Sequence, residues 1–189
     1  MKKNIIYEFL KYHDGSKFYS VKVEEINELE KKLNLTVPKE LKDLLLGIGY
    51  GFIKGSENNI NRIMDTDSIR DFRLRKGDFE FYPEIEIYDE YEDGKLIFFE
   101  GRESALISIE LTDGNSSNIF YYDVKIADSL EEFLIKIQED DNYYLDRNFI
   151  SDFWLSAWTL YFQTFWSIEN HSFYHEFTTI EWALIWPIK

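Results

Sequence analysis

Apolar and polar positions fall into short runs through the middle of the chain. Lys95-Leu-Ile-Phe-Phe-Glu100, Ala105-Leu-Ile-Ser-Ile-Glu-Leu111 and Asn118-Ile-Phe-Tyr-Tyr-Asp123 are β-rich runs bounded by Gly, Asp, Asn and Ser. That pattern predicts strands joined by hairpins. Gly101 breaks the first two runs apart, and Thr112–Ser117 forms a turn in which Asp113, Gly114 and Asn115 can supply positive backbone angles. A helix is predicted from Asp128 to about Gln138. Asp128 is its expected N-cap, Glu131 stands three residues on, and Leu130, Phe133, Leu134 and Ile137 make its apolar face.

The first half of the chain is more helical. Ile5, Ile6, Phe9 and Leu10 suit a short helix that His13-Asp-Gly-Ser16 ends. Val23–Leu33 is amphipathic, with Ile26, Leu29 and Leu33 on one face, glutamates near its start and lysines near its end, as the helix dipole prefers. Pro38 opens a second helix whose buried stripe is Leu41, Leu44, Leu45 and Ile48. Gly47, Gly49 and Gly51 permit a tight exit into Phe52-Ile53, and their spacing is not that of a phosphate loop. Ile60, Ile63 and Met64 suit a strand, and Asp67-Ser68 can cap a short helix carrying Ile69 and Phe72. Arg62, Arg70, Arg73 and Arg75 form a basic cluster, expected to pair with neighbouring acids rather than to hold an anion.

Between Gly77 and Gly94, acids alternate with aromatics. Glu84–Tyr88 has the polar–apolar alternation of a half-buried strand, and the rest reads as surface loop. The spacing has no calcium-loop form. Carboxylate pairs for acid–base hydrolysis are available here, as in any acidic chain. Aromatics interleaved with acids suit docking to a basic protein better, because aromatic anchors carry much interface energy.

Charge sharpens this picture. The net charge is −15, from 36 acidic and 21 basic side chains. Such a chain repels phosphate backbones, so no nucleic-acid binding is expected, and a basic partner is steered towards it. The excess is local: Lys76–Glu103 holds ten acids against three bases, and Asp128–Asp152 eight against two. With no cysteine, disulfides, thiolate metal sites and a cysteine nucleophile are all excluded. The N-terminal stretch, with its early Glu8, lacks the form of a signal peptide, which places the expected location in the cytoplasm.

Residues 143–189 hold 15 aromatics, including all five tryptophans. Trp154, Trp158, Tyr161, Phe165 and Ile168 recur at helical steps in a helix that Asp152 can cap. The uncharged run Phe153–Ile168 has 16 residues, short of the roughly 20 that a membrane span needs. His171 and His175 are four apart, but Ser172 stands where a metalloprotease helix requires glutamate, and no metal site is expected.

Taken in order, these motifs resemble the SUKH superfamily, named after the fungal Smi–Knr regulators of cell-wall synthesis. Glu24–Leu33 is similar to that family's first helix, Val37-Pro-Lys-Glu-Leu-Lys-Asp-Leu-Leu45 to its Leu-Pro segment, and Gly49-Tyr-Gly51 stands where its Asn-Gly-Gly turn falls. Leu96–Phe99, Ala105–Ile109 and Asn118–Asp123 resemble its strands, and Ala127–Leu134 its closing helix. The resemblance implies an α+β fold, a central mixed and mainly antiparallel sheet flanked by helices. It would occupy residues 1–142, with 143–189 an aromatic-rich helical extension packed on the same domain. It further implies a bacterial immunity protein, without catalytic residues or cofactors, that neutralises a cognate basic toxin domain, a nuclease among the candidates. The expected toxin-binding residues are Glu84, Glu86, Tyr88, Asp89, Glu90, Tyr91, Glu92 and Asp93, assisted by Asp140 and Asp141. Either a monomer or a homodimer would serve. The alternative is a regulatory or scaffolding module like the fungal relatives.

Overall fold

Seven strands lie side by side in the order in which the chain makes them: β1 (Lys17–Tyr19), β2 (Tyr50–Ile53), β3 (Asn61–Ile63), β4 (Lys95–Glu100), β5 (Leu106–Glu110), β6 (Ile119–Tyr121) and β7 (Val124–Ala127). Every pairing is antiparallel, so the expected sheet is present without a parallel member among the described strands. Among the described residues five α-helices accompany it: α1 (Val23–Leu33), α2 (Lys39–Gly47), α3 (Thr66–Arg73), α4 (Ile87–Tyr91) and α5 (Leu130–Glu139). The computed structural model describes residues 6–12, 15–53, 60–81, 85, 87–101 and 105–145. The expectations for the tryptophan helix and for His171 and His175 lie outside these residues.

The helices form where amphipathic periodicity put them. On α1, Ile26 and Leu29 are buried, and the backbone N–H of Lys22 donates to Glu25 Oε2 at 2.6 Å, closing the helix start. On α2, Leu41, Leu44 and Leu45 are buried, with Ile48 continuing the stripe, and Pro38 is the N-cap. The glycines after α2 serve backbone contact. Gly49 (φ +106°) and Gly51 (φ +140°) lie so close to β1 that a Cβ would sit 1.8 Å from the carbonyl oxygen of Tyr19 and 2.1 Å from that of Lys17. Only glycine tolerates both the backbone angle and the approach.

The core is centred on β4 and β5. A bulge between Ile97 and Phe99 makes Phe98 an extra residue against β5. Extra residues of this kind redirect side chains. Both phenyl rings reach Phe133 of α5, at 6.0 and 5.1 Å between centroids. Two tyrosines that follow α5 also join the core. Tyr143 and Tyr144 are buried; Tyr143 Oη donates to the carbonyl of Ile126 at 2.8 Å, and Tyr144 Oη lies 3.2 Å from Asn61 Oδ1.

Several local expectations are corrected. Helix α5 is capped by Ser129, whose Oγ accepts from the Glu132 N–H at 3.1 Å, while the Asp128 N–H donates to Glu132 Oε2. Helix α3 is capped by Asp65, two residues before the expected Asp67-Ser68, with its carboxylate accepting from the N–H and hydroxyl of Ser68. Gly114 does not adopt a positive φ; Thr112 Oγ1 accepts the Gly114 N–H, and the Ser117 N–H donates to Glu40 of α2 at 2.7 Å. The chain from Ile87 is helical rather than the end of a half-buried strand. Strands β1, β2 and β7 are additional to those predicted. The β6–β7 hairpin turns through Tyr122 at φ +54°, a conformation that no sequence signal announces.

Candidate acidic docking site

The acid-rich segment comes to lie on the rim of one cleft because of how α4 is anchored. Tyr88 is buried, with its ring edge-on to Phe72 of α3 at 5.5 Å and stacked on Tyr122 at 5.8 Å. Tyr91 meets the same Tyr122 ring at 5.0 Å and is half-buried. Two tyrosines expected as docking anchors therefore spend much of their surface fastening a five-residue helix to the core. With α4 held by its apolar side, Asp89 and Glu90 face solvent. The chain then turns through Glu92, Asp93 and Gly94 into β4, the turn closed by the Lys95 N–H donating to the Glu92 carbonyl and the Leu111 N–H to that of Gly94.

Glu92 does not belong to the surface. It is 2% exposed. Its carboxylate lies between two arginines from the end of α3: Arg75 Nη1 is 2.9 Å from Oε2, and Arg73 Nη1 is 3.5 Å from Oε1. Each guanidinium has other work. Arg73 donates to the backbone carbonyls of Glu92 and Lys95, and Arg75 to the carbonyl of Phe72 and to Asp89 Oδ1, while covering the Phe72 ring at 4.9 Å. Burial raises the Glu92 carboxyl above its usual range, and the two arginines pull it back in part. A buried carboxylate at this corner therefore joins α3, α4 and β4, which the acid count alone could not reveal.

Arg73, Arg75, Asp89, Glu90, Glu92 and Asp93 line a cleft of about 510 Å³. Four carboxylates against two guanidiniums leave it two charges negative. The remaining expected site residues sit elsewhere. Asp140 and Asp141 follow α5 and do not line this cleft; Asp140 is exposed and accepts the Asn142 N–H, and Asp141 accepts from the Asn142 side chain. Glu84 and Glu86 lie outside the described residues. The basic cluster pairs as expected: Arg62 with Glu100, Arg70 with Asp67 and Asp71, and the other two as above. Its role in shaping the acidic cleft went unforeseen, because Arg73 and Arg75 precede Glu92 by 19 and 17 positions.

Among the described residues no group of three or more His, Cys, Asp or Glu side chains could hold a metal ion, and no helix is long and apolar enough to cross a membrane. An acid–base enzyme requires a perturbed carboxyl that touches its substrate. In this cleft the carboxyl that burial raises is closed off by guanidiniums, and Asp89, Glu90 and Asp93 stand open to water.

Comparison with known proteins adds to this geometry. The family model SUKH_6, described as SMI1-KNR4 cell-wall, matches residues 23–134, from the start of α1 into α5. A Bacillus subtilis (strain 168) protein named "Immunity protein YxxD" is 63% identical over 140 residues, covering 74% of this chain and 95% of that protein. The matched family segment contains α1 to α4, β2 to β7 and the cleft, so the architecture and the family assignment rest on the same residues. The chain belongs to the SUKH superfamily, in its SMI1-KNR4 cell-wall family.

Proposed function

We propose that this protein is a bacterial immunity protein that binds and neutralises a cognate toxin domain through its acidic surface. The observation that carries the reading is the identity of 63% to a protein named as an immunity protein, extending over 95% of that relative. The exposed acids supply a mechanism. Asp89, Glu90 and Asp93 line the cleft, Asp140 and Asp141 follow α5, and Tyr91 offers a half-buried ring on the same helix as Asp89 and Glu90; Glu84 and Glu86 belong to the same acidic stretch of sequence. Tyr88 and Glu92 act from beneath, holding the exposed residues in place.

A toxin domain that handles nucleic acid carries lysines and arginines to meet phosphates. A negative surface competes for those groups and accelerates encounter at low salt. The protein acts in the cytoplasm as a monomer or homodimer, makes and breaks no bond itself, and needs no cofactor. Co-expression with the toxin encoded beside it tests the reading: a stable complex and restored growth are expected, and neither complex nor rescue would overturn it.

A further inference from the structure

We infer that two copies of this chain pair through the β1 edge, strand against antiparallel strand, about a twofold axis at Phe18. Among the described strands, β1 and β7 lie at the two edges of the sheet, and the edges differ. At β7 the carbonyl of Ile126 already accepts from Tyr143 Oη at 2.8 Å. At β1 the carbonyls of Lys17 and Tyr19 point towards Gly51 and Gly49 of the neighbouring chain segment. Alternation along an antiparallel ladder then turns the N–H and C=O of Phe18 outward. No bond to either group is found among the described residues outside the ladder. Such an edge is a template for another strand.

A second copy fits this template by symmetry. When Phe18 exchanges both bonds with its counterpart, Lys17 falls opposite the partner's Tyr19, and Tyr19 opposite the partner's Lys17. Within each sheet Lys17 already faces Phe52, and Tyr19 faces Tyr50 in a stack at 5.3 Å. Each lysine thus comes to stand between two rings, its own Phe52 and the partner's Tyr19, in contacts that favour a cation. Edge lysines often serve to keep other strands away. Here the ammonium is drawn over the Tyr19 ring, 5.3 Å from the centroid, and across the axis it meets a ring instead of a like charge. Tyr19 and Phe52 are both exposed, an aromatic face that a solvated sheet does not ordinarily keep.

Charge favours the same edge. Each chain carries −15, so two copies repel wherever acids face acids. The first 22 residues instead hold five lysines against Glu8 and Asp14, which makes this edge a place where the copies can approach.

Sedimentation equilibrium of the full chain tests the inference. The mass should climb from one chain to two with concentration, and the dimer should tighten with added salt as the net repulsion is screened. Lys17→Glu should weaken it about tenfold, because each dimer loses two cation–ring contacts. The absence of cysteine permits a second measurement that does not depend on that variant. Phe18→Cys should link two chains under mild oxidation, since the Cα atoms of such a pair lie about 5.5 Å apart, within reach of a disulfide. Phe52→Cys should not, since its counterpart lies at least about 14 Å away, three strand spacings across the joined sheet. A mass of one chain at every concentration would overturn the inference. So would linking through Phe52→Cys but not Phe18→Cys, or a dimer that salt weakens and Lys17→Glu leaves unchanged. The immunity reading is decided separately, by the complex with the toxin.

Discussion

Replacing Glu92 by glutamine keeps the shape of the side chain and removes its charge, which separates two opposing contributions. Losing a buried ion-pair partner typically costs about 3–5 kcal/mol, because the remaining charge is stranded. Here neither arginine is stranded. Arg75 retains Asp89 and the Phe72 carbonyl, Arg73 retains two backbone carbonyls, and their side chains are 24% and 30% exposed. What is lost is the charge-assisted part of the Arg75 contact, about 1.5–3 kcal/mol. The cost of burying a carboxylate disappears at the same time. A net loss of about 1–2 kcal/mol follows, or about 0.5–1 M in urea midpoint for a slope near 2 kcal/mol/M. Glu92→Ala, which removes the acceptor and leaves a void, should cost about 3 kcal/mol or more.

The pH dependence gives the sharper reading. Burial raises the Glu92 carboxyl above its ordinary value of 4.5 despite both arginines. The native state therefore holds the proton more tightly than the unfolded chain does. The resulting stabilisation is present at low pH and is lost as pH rises through the native pKa. Glutamine cannot titrate, so wild type should gain on E92Q as urea melts move from about pH 7 to about pH 5. A difference that stays constant or shrinks on acidification would refute the claim that burial outweighs the arginines. So would a loss at neutral pH as large as that of E92A.

Two further predictions concern the frame. Gly101→Ala would place a Cβ 2.4 Å from Tyr144 Oη and 2.5 Å from its Cζ, forcing a fully buried ring away from Asn61; a loss of about 1–3 kcal/mol is expected, and it should largely vanish when measured in a Tyr144→Ala background. Ser129→Ala should lower stability by about 1 kcal/mol through loss of the α5 cap, and Asp128→Ala should cost less, which thermal melts of the two variants compare directly.

Those elements legible in the sequence were the ones whose burial follows a period. Helix α1 runs over the predicted Val23–Leu33, and β4, β5 and β6 fall within three apolar runs, because each element turns a repeated set of side chains inward. Strand β1 buries none of its three residues, and β7 buries only two adjacent ones, so neither shows an alternation of buried and exposed positions. In α4 the mixture of acids and aromatics hid a helix held by ring contacts to Phe72 and Tyr122, residues distant in sequence. The family's order of motifs carried the functional reading further than charge did. Charge singled out the acidic segment, but could not separate Glu92, paired with arginines in the interior, from Glu90 and Asp93, which face water. That separation depends on where the end of α3 delivers its arginines, a tertiary fact.

The order of the strands has a consequence for how such proteins diversify. Strands β3 and β4 are adjacent, yet the chain between them runs from Met64 to Gly94, bearing α3, α4 and the whole cleft before re-entering the sheet. A detour that begins and ends at neighbouring strands can be lengthened, shortened or rewritten while every ladder keeps its register, and closing a longer detour adds little entropy. Under the docking role proposed above, a change of partner would need changes only in this one excursion, with the sheet kept as it is.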